Sequence, residues 1–200
     1  MTAQGPLFLQ SSLWTAIFWG SFAALCAHEA WVFSRDRRKV SGERRDGGSL
    51  WVIVVVQNAG FFACFMIPWA TRVGEIPLRA DALLAIAFGV FWTGWLLRFW
   101  SVVTLGRFFR TTVVVQDGHR LITSGPYRLL RNPSYTGALL MFLGIGLAQG
   151  NALSVASIVG GALLAYAWRI RMEELALRAR FGQAFDDYAE RTWAVVPFIW

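Results

Sequence analysis

Long apolar runs separated by short polar stretches set the pattern of this chain. The first run extends from Leu7 to Phe33 and the second from Leu50 to Ala70, with the basic stretch RDRRKVSGERRDGG between them. A third extends from Ala82 to Val103. Two shorter runs, Pro133 to Ala148 and Ala152 to Trp168, flank the polar turn Gln149-Gly150-Asn151. About 20 apolar residues cross the hydrocarbon core as a helix, so the first three runs are long enough to span. At 1.5 Å per residue the fourth reaches on the order of 24 Å, which predicts a helical hairpin that just crosses, or nearly so. Gly137, Gly144, Gly146, Gly160 and Gly161 are expected to let its two arms approach closely. The expected fold is an all-α integral membrane protein of one domain, 1–200. About five transmembrane helices are expected, at 7–33, 50–70, 82–103, 133–148 and 152–168, the last two forming the hairpin.

The segment 104–132 does not fit a span. It contains TTVVVQ, readable as a short strand or an extended piece on the membrane surface, and turn signals at Asp117-Gly118 and Gly125-Pro126. Asn132-Pro133 reads as the N-cap and first position of the next helix. Beyond the hairpin, 169–200 turns charged and amphipathic. Ile170, Leu177 and Phe181 make one helical stripe, which Phe185 and Tyr188 continue if the helix passes Gly182. Glu173 falls on that stripe and is a functional candidate, because a carboxylate facing a membrane bundle is costly without a role. Glu174, flanked by Arg171 and Arg178 at helical spacing, reads as an ion-pair member.

Composition sharpens the membrane reading. The hydrophobic fraction is 56%, with 11 Trp and 16 Phe, and the mean hydropathy is +0.47. The net charge is +7, and of 19 basic residues only Lys39 is a lysine. With no nucleic-acid-binding motif in the chain, this charge points to cytoplasmic loops and anionic headgroups instead. By the positive-inside rule the basic loop after the first span is cytoplasmic. The N-terminus is then outside, and the polar segments 104–132 and 169–200 meet on the cytoplasmic face. No cleavable signal is expected, because a basic region before the first run is missing. His28 and Glu29, near the end of that run, read as an interfacial or helix–helix polar contact. Cys26 and Cys64 read as small buried hydrophobes.

The cytoplasmic face so defined gathers Arg107, Arg110, His119, Arg120, Tyr127, Arg128, Arg131, Asn132, Tyr135, Glu173 and Glu174. Arginines with tyrosines and a carboxylate suit a ligand that is anionic at one end and carries hydroxyls or a cation at the other. No dinucleotide or P-loop fingerprint appears, no metal-ligand spacing is present, and Ser124 and Ser134 have no base partner for a triad.

The block GHRLITSGPYRLLRNPSYTG, a short hairpin and then RIRMEELAL with downstream FG, F, Y, T and VP resemble the isoprenylcysteine carboxyl methyltransferase family of membrane proteins. The likeness runs from Gly106 to Pro197. The resemblance implies a multi-span S-adenosyl-L-methionine-dependent methyltransferase whose cofactor pocket faces the cytoplasm. Position by position it assigns His119, Leu121, Gly125, Tyr127, Asn132, Pro133, Tyr135, Glu173 and Glu174 to the cofactor. Arg107, Arg110 and Arg131 would orient the acceptor or the cofactor carboxylate. Asn132 stands where the family has histidine, and an amide can donate hydrogen bonds but cannot act as a base. The implied partners are a hydrophobic or lipid-like small-molecule acceptor and membrane lipids, with no nucleic acid. Two alternatives remain open at this point: an NADPH-dependent membrane reductase of the sterol-reductase type, and a non-enzymatic lipid- or partner-binding membrane protein.

Overall fold

The computed structural model describes residues 5–36, 49–109 and 121–198. Five apolar helices form the bundle: α1 Ser12–Asp36, α2 Ser49–Ala70, α3 Ala80–Leu105, α4 Pro133–Ala148 and α5 Ala152–Phe181. The short α6 follows at Gln183–Glu190. Single 3-10 turns sit at Leu7–Gln10, Gly106–Phe108 and Gly125–Arg128. Apolar residues lie all round the five long helices, as they must where one face meets protein and the other meets lipid. Leu96, Leu164 and Phe62 are among the large side chains left outward. Among the described residues, three helices are long and apolar enough to cross a membrane: α1 over Ser12–Ser34, α3 and α5. The apolar stretches Val54–Ala70 and Pro133–Ala148 are shorter.

Two boundaries differ from the sequence expectation. The first apolar run is not one helix, because the turn at Leu7–Gln10 precedes α1 and sends Phe8 into the core, stacked on Phe18 at 3.8 Å. At the other end, α5 does not stop near Trp168. Its 30 residues run on through the charged stretch to Phe181, so the amphipathic stripe of Ile170, Leu177 and Phe181 is an extension of α5. The stripe does not continue through Gly182. That residue adopts φ +53°, which disfavours any side chain, and its N–H closes the helix on Arg178 O at 2.9 Å.

The close helix contacts also fall differently. Gly137 and Gly144 do not face α5. A Cβ on Gly137 would lie 2.6 Å from Gly94 O, and one on Gly144 would lie 2.6 Å from Ala87 O, so both seat α4 on α3. Gly161 faces Val56 on α2, Gly146 faces Val155 on α5, and nothing approaches Gly160 within 4 Å. The bundle is therefore two tightly packed pairs, α3 with α4 and α2 with α5, joined where α4 meets α5.

One end of the bundle is closed by backbone hydrogen bonds. Ala152 N–H donates to Gly74 O at 2.7 Å, Ile76 N–H to Gly150 O at 2.9 Å and Leu7 N–H to Gln149 O at 3.1 Å. Asn151 caps α5 through Leu153 N–H at 2.8 Å. The other end carries the polar cluster.

Candidate functional site

At the open end, α3 finishes, α4 begins and α5 runs past both. The chain between α3 and α4 returns through the turn Gly125–Arg128, where Pro126 and Tyr127 are buried. The C-terminal residues then lie along this return as a parallel strap. Trp193 N–H donates to Leu129 O at 3.1 Å, Arg131 N–H to Trp193 O at 2.8 Å and Asn132 N–H to Ala194 O at 3.0 Å. Thr136 Oγ1 donates to Val195 O at 2.7 Å, and Ala194 and Val195 are buried. The Tyr188 hydroxyl donates to Tyr127 O at 2.8 Å.

Within this frame two neighbouring carboxylates take different partners. Glu173 accepts from the Tyr135 hydroxyl at 2.8 Å and from Arg169 Nε at 2.7 Å. Arg169 is almost wholly buried at 1% exposure. Its interior position requires a counter-charge, which Glu173 supplies one helical turn away. Glu174 accepts from Arg131 Nε at 2.8 Å. It is thus an ion-pair member, as expected, but its partner comes from the start of α4 and not from its helix neighbours. Arg178 instead donates to Asp186 at 2.7 Å. The Arg131 Nη1 group donates to Ala189 O at 2.9 Å and to Thr192 O, so this arginine clamps the strap to α5.

All four tyrosines of the chain, Tyr127, Tyr135, Tyr166 and Tyr188, belong to this region. Tyr135 and Tyr166 lie ring to ring at 4.7 Å. Burial pushes the Tyr127 phenol well above its ordinary value, with the nearby Glu173 carboxylate adding to the shift. Burial likewise pushes Tyr188 up to about 12, with Glu174 raising it and Arg131 opposing. Both phenols are neutral donors at physiological pH.

Asn132 occupies the N-cap position of α4, but its side chain makes no capping bond. Its residue is 9% exposed, and its Nδ2 is buried with no hydrogen-bond partner among the described residues. Such an amide is costly unless something else accepts from it. Pro133 is buried at the first helical position beside it.

The sequence candidates therefore fall into three groups. Tyr127, Asn132, Pro133, Tyr135, Glu173, Glu174 and Arg131 come together around the start of α4. Leu121 and Gly125 lie on the return, where Gly125 takes φ +58° against Thr104. Arg110, His119 and Arg120, with TTVVVQ and the Asp117-Gly118 turn, lie outside the described residues. Arg107 lies in the turn after α3, its side chain likewise outside the description.

Sequence reasoning missed Arg169, although its i−4 spacing from Glu173 was a usable signal. It also missed that Arg98 matters. Arg98 on α3 grips Glu29 of α1 with Nε at 2.7 Å and Nη2 at 2.9 Å, and donates through Nη1 to Ser134 Oγ at 2.7 Å. The helix–helix contact expected of His28 and Glu29 is thus an ion pair that ties α1 and α3 to the first turn of α4. A small apolar cavity lined by Phe18, Phe88, Phe91 and Ile145 lies mid-bundle, away from this chemistry.

Comparison with known proteins places this geometry. Residues 82–184, just over half of the chain, match the phospholipid methyltransferase family. A probable protein-S-isoprenylcysteine O-methyltransferase of Oryza sativa subsp. indica is 36% identical over 108 residues, covering 53% of this chain and 56% of that protein. The protein-S-isoprenylcysteine O-methyltransferase of Tribolium castaneum is 27% identical over 153 residues, 76% of this chain and 50% of that one. The solved structure of the eukaryotic intramembrane Ras methyltransferase, isoprenylcysteine carboxyl methyltransferase, superposes with a TM-score of 0.56 at 26% identity. That match covers 74% of this chain and 52% of the other. The chain spans about half the length of these relatives. It is a multi-pass membrane protein that belongs to the phospholipid methyltransferase family and is related to the isoprenylcysteine carboxyl methyltransferases.

Proposed function

We propose that this protein is a membrane methyltransferase that uses S-adenosyl-L-methionine to methylate a hydrophobic or lipid-like acceptor. The observation that carries the reading is the Tyr135–Glu173–Arg169 set standing beside the buried, unpartnered amide of Asn132. These groups fit the cofactor's polar ends. The Asn132 Nδ2 donor suits a carboxylate, and the Glu173 and Glu174 oxygens suit an amine or ribose hydroxyls. The rings of Tyr127 and Tyr135 suit a sulfonium. When bound, the cofactor supplies an electrophilic methyl group whose in-line transfer depends on alignment more than on acid–base help. Asparagine in place of histidine is compatible with such a reaction.

The chain's own residues then act by holding. Arg169 fixes the Glu173 carboxylate, and Tyr135 orients it from α4. Arg131 acts through the strap and Glu174, which makes it a positioning residue. Arg107 and Arg110 are assigned to the acceptor, and His119, Leu121, Gly125 and Pro133 to the cofactor's surroundings. The acceptor class we favour is a carboxylate on a lipid-like molecule entering from the bilayer, in line with the substrates named for the relatives. The positive-inside rule applied to the basic loop supports an N-terminus outside and a site on the cytoplasmic face.

The test is to supply methyl-tritiated S-adenosyl-L-methionine and N-acetyl-S-farnesylcysteine to the protein in lipid nanodiscs, then treat the extract with base. Label released as methanol supports carboxylate methylation. Base-stable label moves the acceptor to an amine or thiol. Absence of incorporation into this acceptor and into total lipid sinks the proposal.

A further inference from the structure

Next to the cofactor cluster, and joined to it through Glu29, Arg98 and Ser134, a second unusual group of residues lies between α1 and α3. His28 is 5% exposed, and its ring is surrounded by Trp31 at 5.7 Å, Trp95 at 5.7 Å and Phe99 at 6.2 Å. Trp95 and Phe99 are themselves stacked at 5.4 Å, and Trp31 and Phe99 at 5.7 Å. Two polar atoms in this aromatic cage, His28 Nε2 and Trp95 Nε1, are buried with no hydrogen-bond partner among the described residues.

Their hydrogen-bonding senses are complementary. His28 Nδ1 lies 3.4 Å from Glu29 Oε1. The Glu29 carboxylate is held by Arg98 and can only accept, so in the neutral ring the proton sits on Nδ1 and Nε2 presents a lone pair. Trp95 Nε1 can only donate. The cage therefore offers one acceptor and one donor, which a single hydroxyl group satisfies at once. His28 is six residues before Ser34, the end of the apolar stretch of α1, or about 9 Å along the helix. Both atoms are buried, and an unmet polar group within an apolar stretch is costly. Phe99 is 39% exposed and Trp92, next along α3, is also 39% exposed, giving an apolar tail a lipid-side surface to follow.

We propose that the cage of His28, Trp31, Trp95 and Phe99 is a binding site for a bilayer-borne amphiphile whose polar end is a hydroxyl. Its O–H donates to His28 Nε2, its oxygen accepts from Trp95 Nε1–H, and its chain lies along the aromatic face of α3. The site is independent of the methyl-transfer reading, since it uses none of the residues assigned to it.

The probe is a long-chain primary alcohol carrying a diazirine on its chain, photolysed with the protein in nanodiscs, with labelled peptides mapped. The expected result is labelling on α1 and α3 near Trp31, Trp95 and Phe99. 1-Hexadecanol should compete for it, and hexadecyl methyl ether should compete at least tenfold less well because it lacks the donor. His28→Phe and Trp95→Phe should each reduce labelling at least tenfold while the protein stays monodisperse. Because His28→Phe could disturb folding through Glu29, Trp95→Phe carries the test alone if needed. Labelling that is unchanged in a folded Trp95→Phe protein overturns the proposal. So does labelling that the ether displaces as well as the alcohol. Absence of saturable labelling also overturns it.

Discussion

Replacing Arg131 with methionine removes the clamp that holds the C-terminal strap. The side chain is 16% exposed, so methionine keeps most of its packing while deleting the charge. Three hydrogen bonds go: Nε to Glu174 and Nη1 to Ala189 O and Thr192 O. Bonds from a charged donor contribute about 1.5–3 kcal/mol each, but three from one guanidinium overlap, which brings the expected loss to about 3–4 kcal/mol. The four bonds of Trp193, Arg131, Asn132 and Thr136 along the strap remain, so the loss is local opening, not unfolding of the bundle. At 1.4 kcal/mol per factor of ten, the strap amides should exchange hydrogen about 10²–10³-fold faster in Arg131→Met. The assay is hydrogen exchange by mass spectrometry in detergent, following the peptide that contains Trp193 and Ala194. Peptides from α3 serve as the internal reference. Unchanged protection at the strap would refute the clamp, and equal loss in α3 would show that Arg131 stabilises the whole fold.

Three further outcomes follow from the same geometry. Gly144→Ala places a methyl group 2.6 Å from Ala87 O, and overpacking of this kind costs about 1–3 kcal/mol. Its heat-induced unfolding in detergent should therefore begin at lower temperature, whereas Gly160→Ala, with open space around it, should leave the midpoint in place. Glu29→Gln strands the Arg98 guanidinium between helices; because the pair is part-buried, with Arg98 12% and Glu29 33% exposed, the loss should fall below the ~3–5 kcal/mol of a fully buried pair. The same thermal scan should show its midpoint falling, and Glu29→Asp should recover part of the loss. Finally, the raised phenols of Tyr127 and Tyr188 mean that the folded strap binds protons more tightly than the unfolded chain. Its docking should be intact below about pH 10, the ordinary phenol value, and be lost as pH rises towards 12. Long-wavelength phenolate absorbance should then lag behind that of free tyrosine, and titration of all tyrosines near pH 10 would contradict the shift.

The helices were largely legible because the membrane demands long apolar runs, and 50–70 and 82–103 lie within a residue or two of α2 and α3. What the pattern could not give was which helix each small residue faces. Gly137 and Gly144 look the same in sequence whether they seat α4 on α5 or on α3, because apolar residues surround these helices on every side. Glu173 stood out as a carboxylate on an apolar stripe, and the structure gives it Tyr135 and Arg169. Glu174 is the ion-pair member its surroundings suggested, but its partner Arg131 is 43 residues away, where local helical spacing offered nearer arginines. The strap was invisible for the same reason: its central bonds, between 129–132 and 193–194, run through backbone groups that carry no sequence signature.

The central claim is that the start of α4 and the carboxylates of α5 hold an S-adenosyl cofactor. Calorimetric titration of the detergent-purified protein with S-adenosylhomocysteine tests it most directly, with NADPH titrated in parallel and Glu173→Ala as the variant. Micromolar binding of S-adenosylhomocysteine alone is expected, and it should be lost in a Glu173→Ala protein that remains folded. Binding of NADPH instead, or an affinity for S-adenosylhomocysteine unaffected by Glu173→Ala, would contradict the claim.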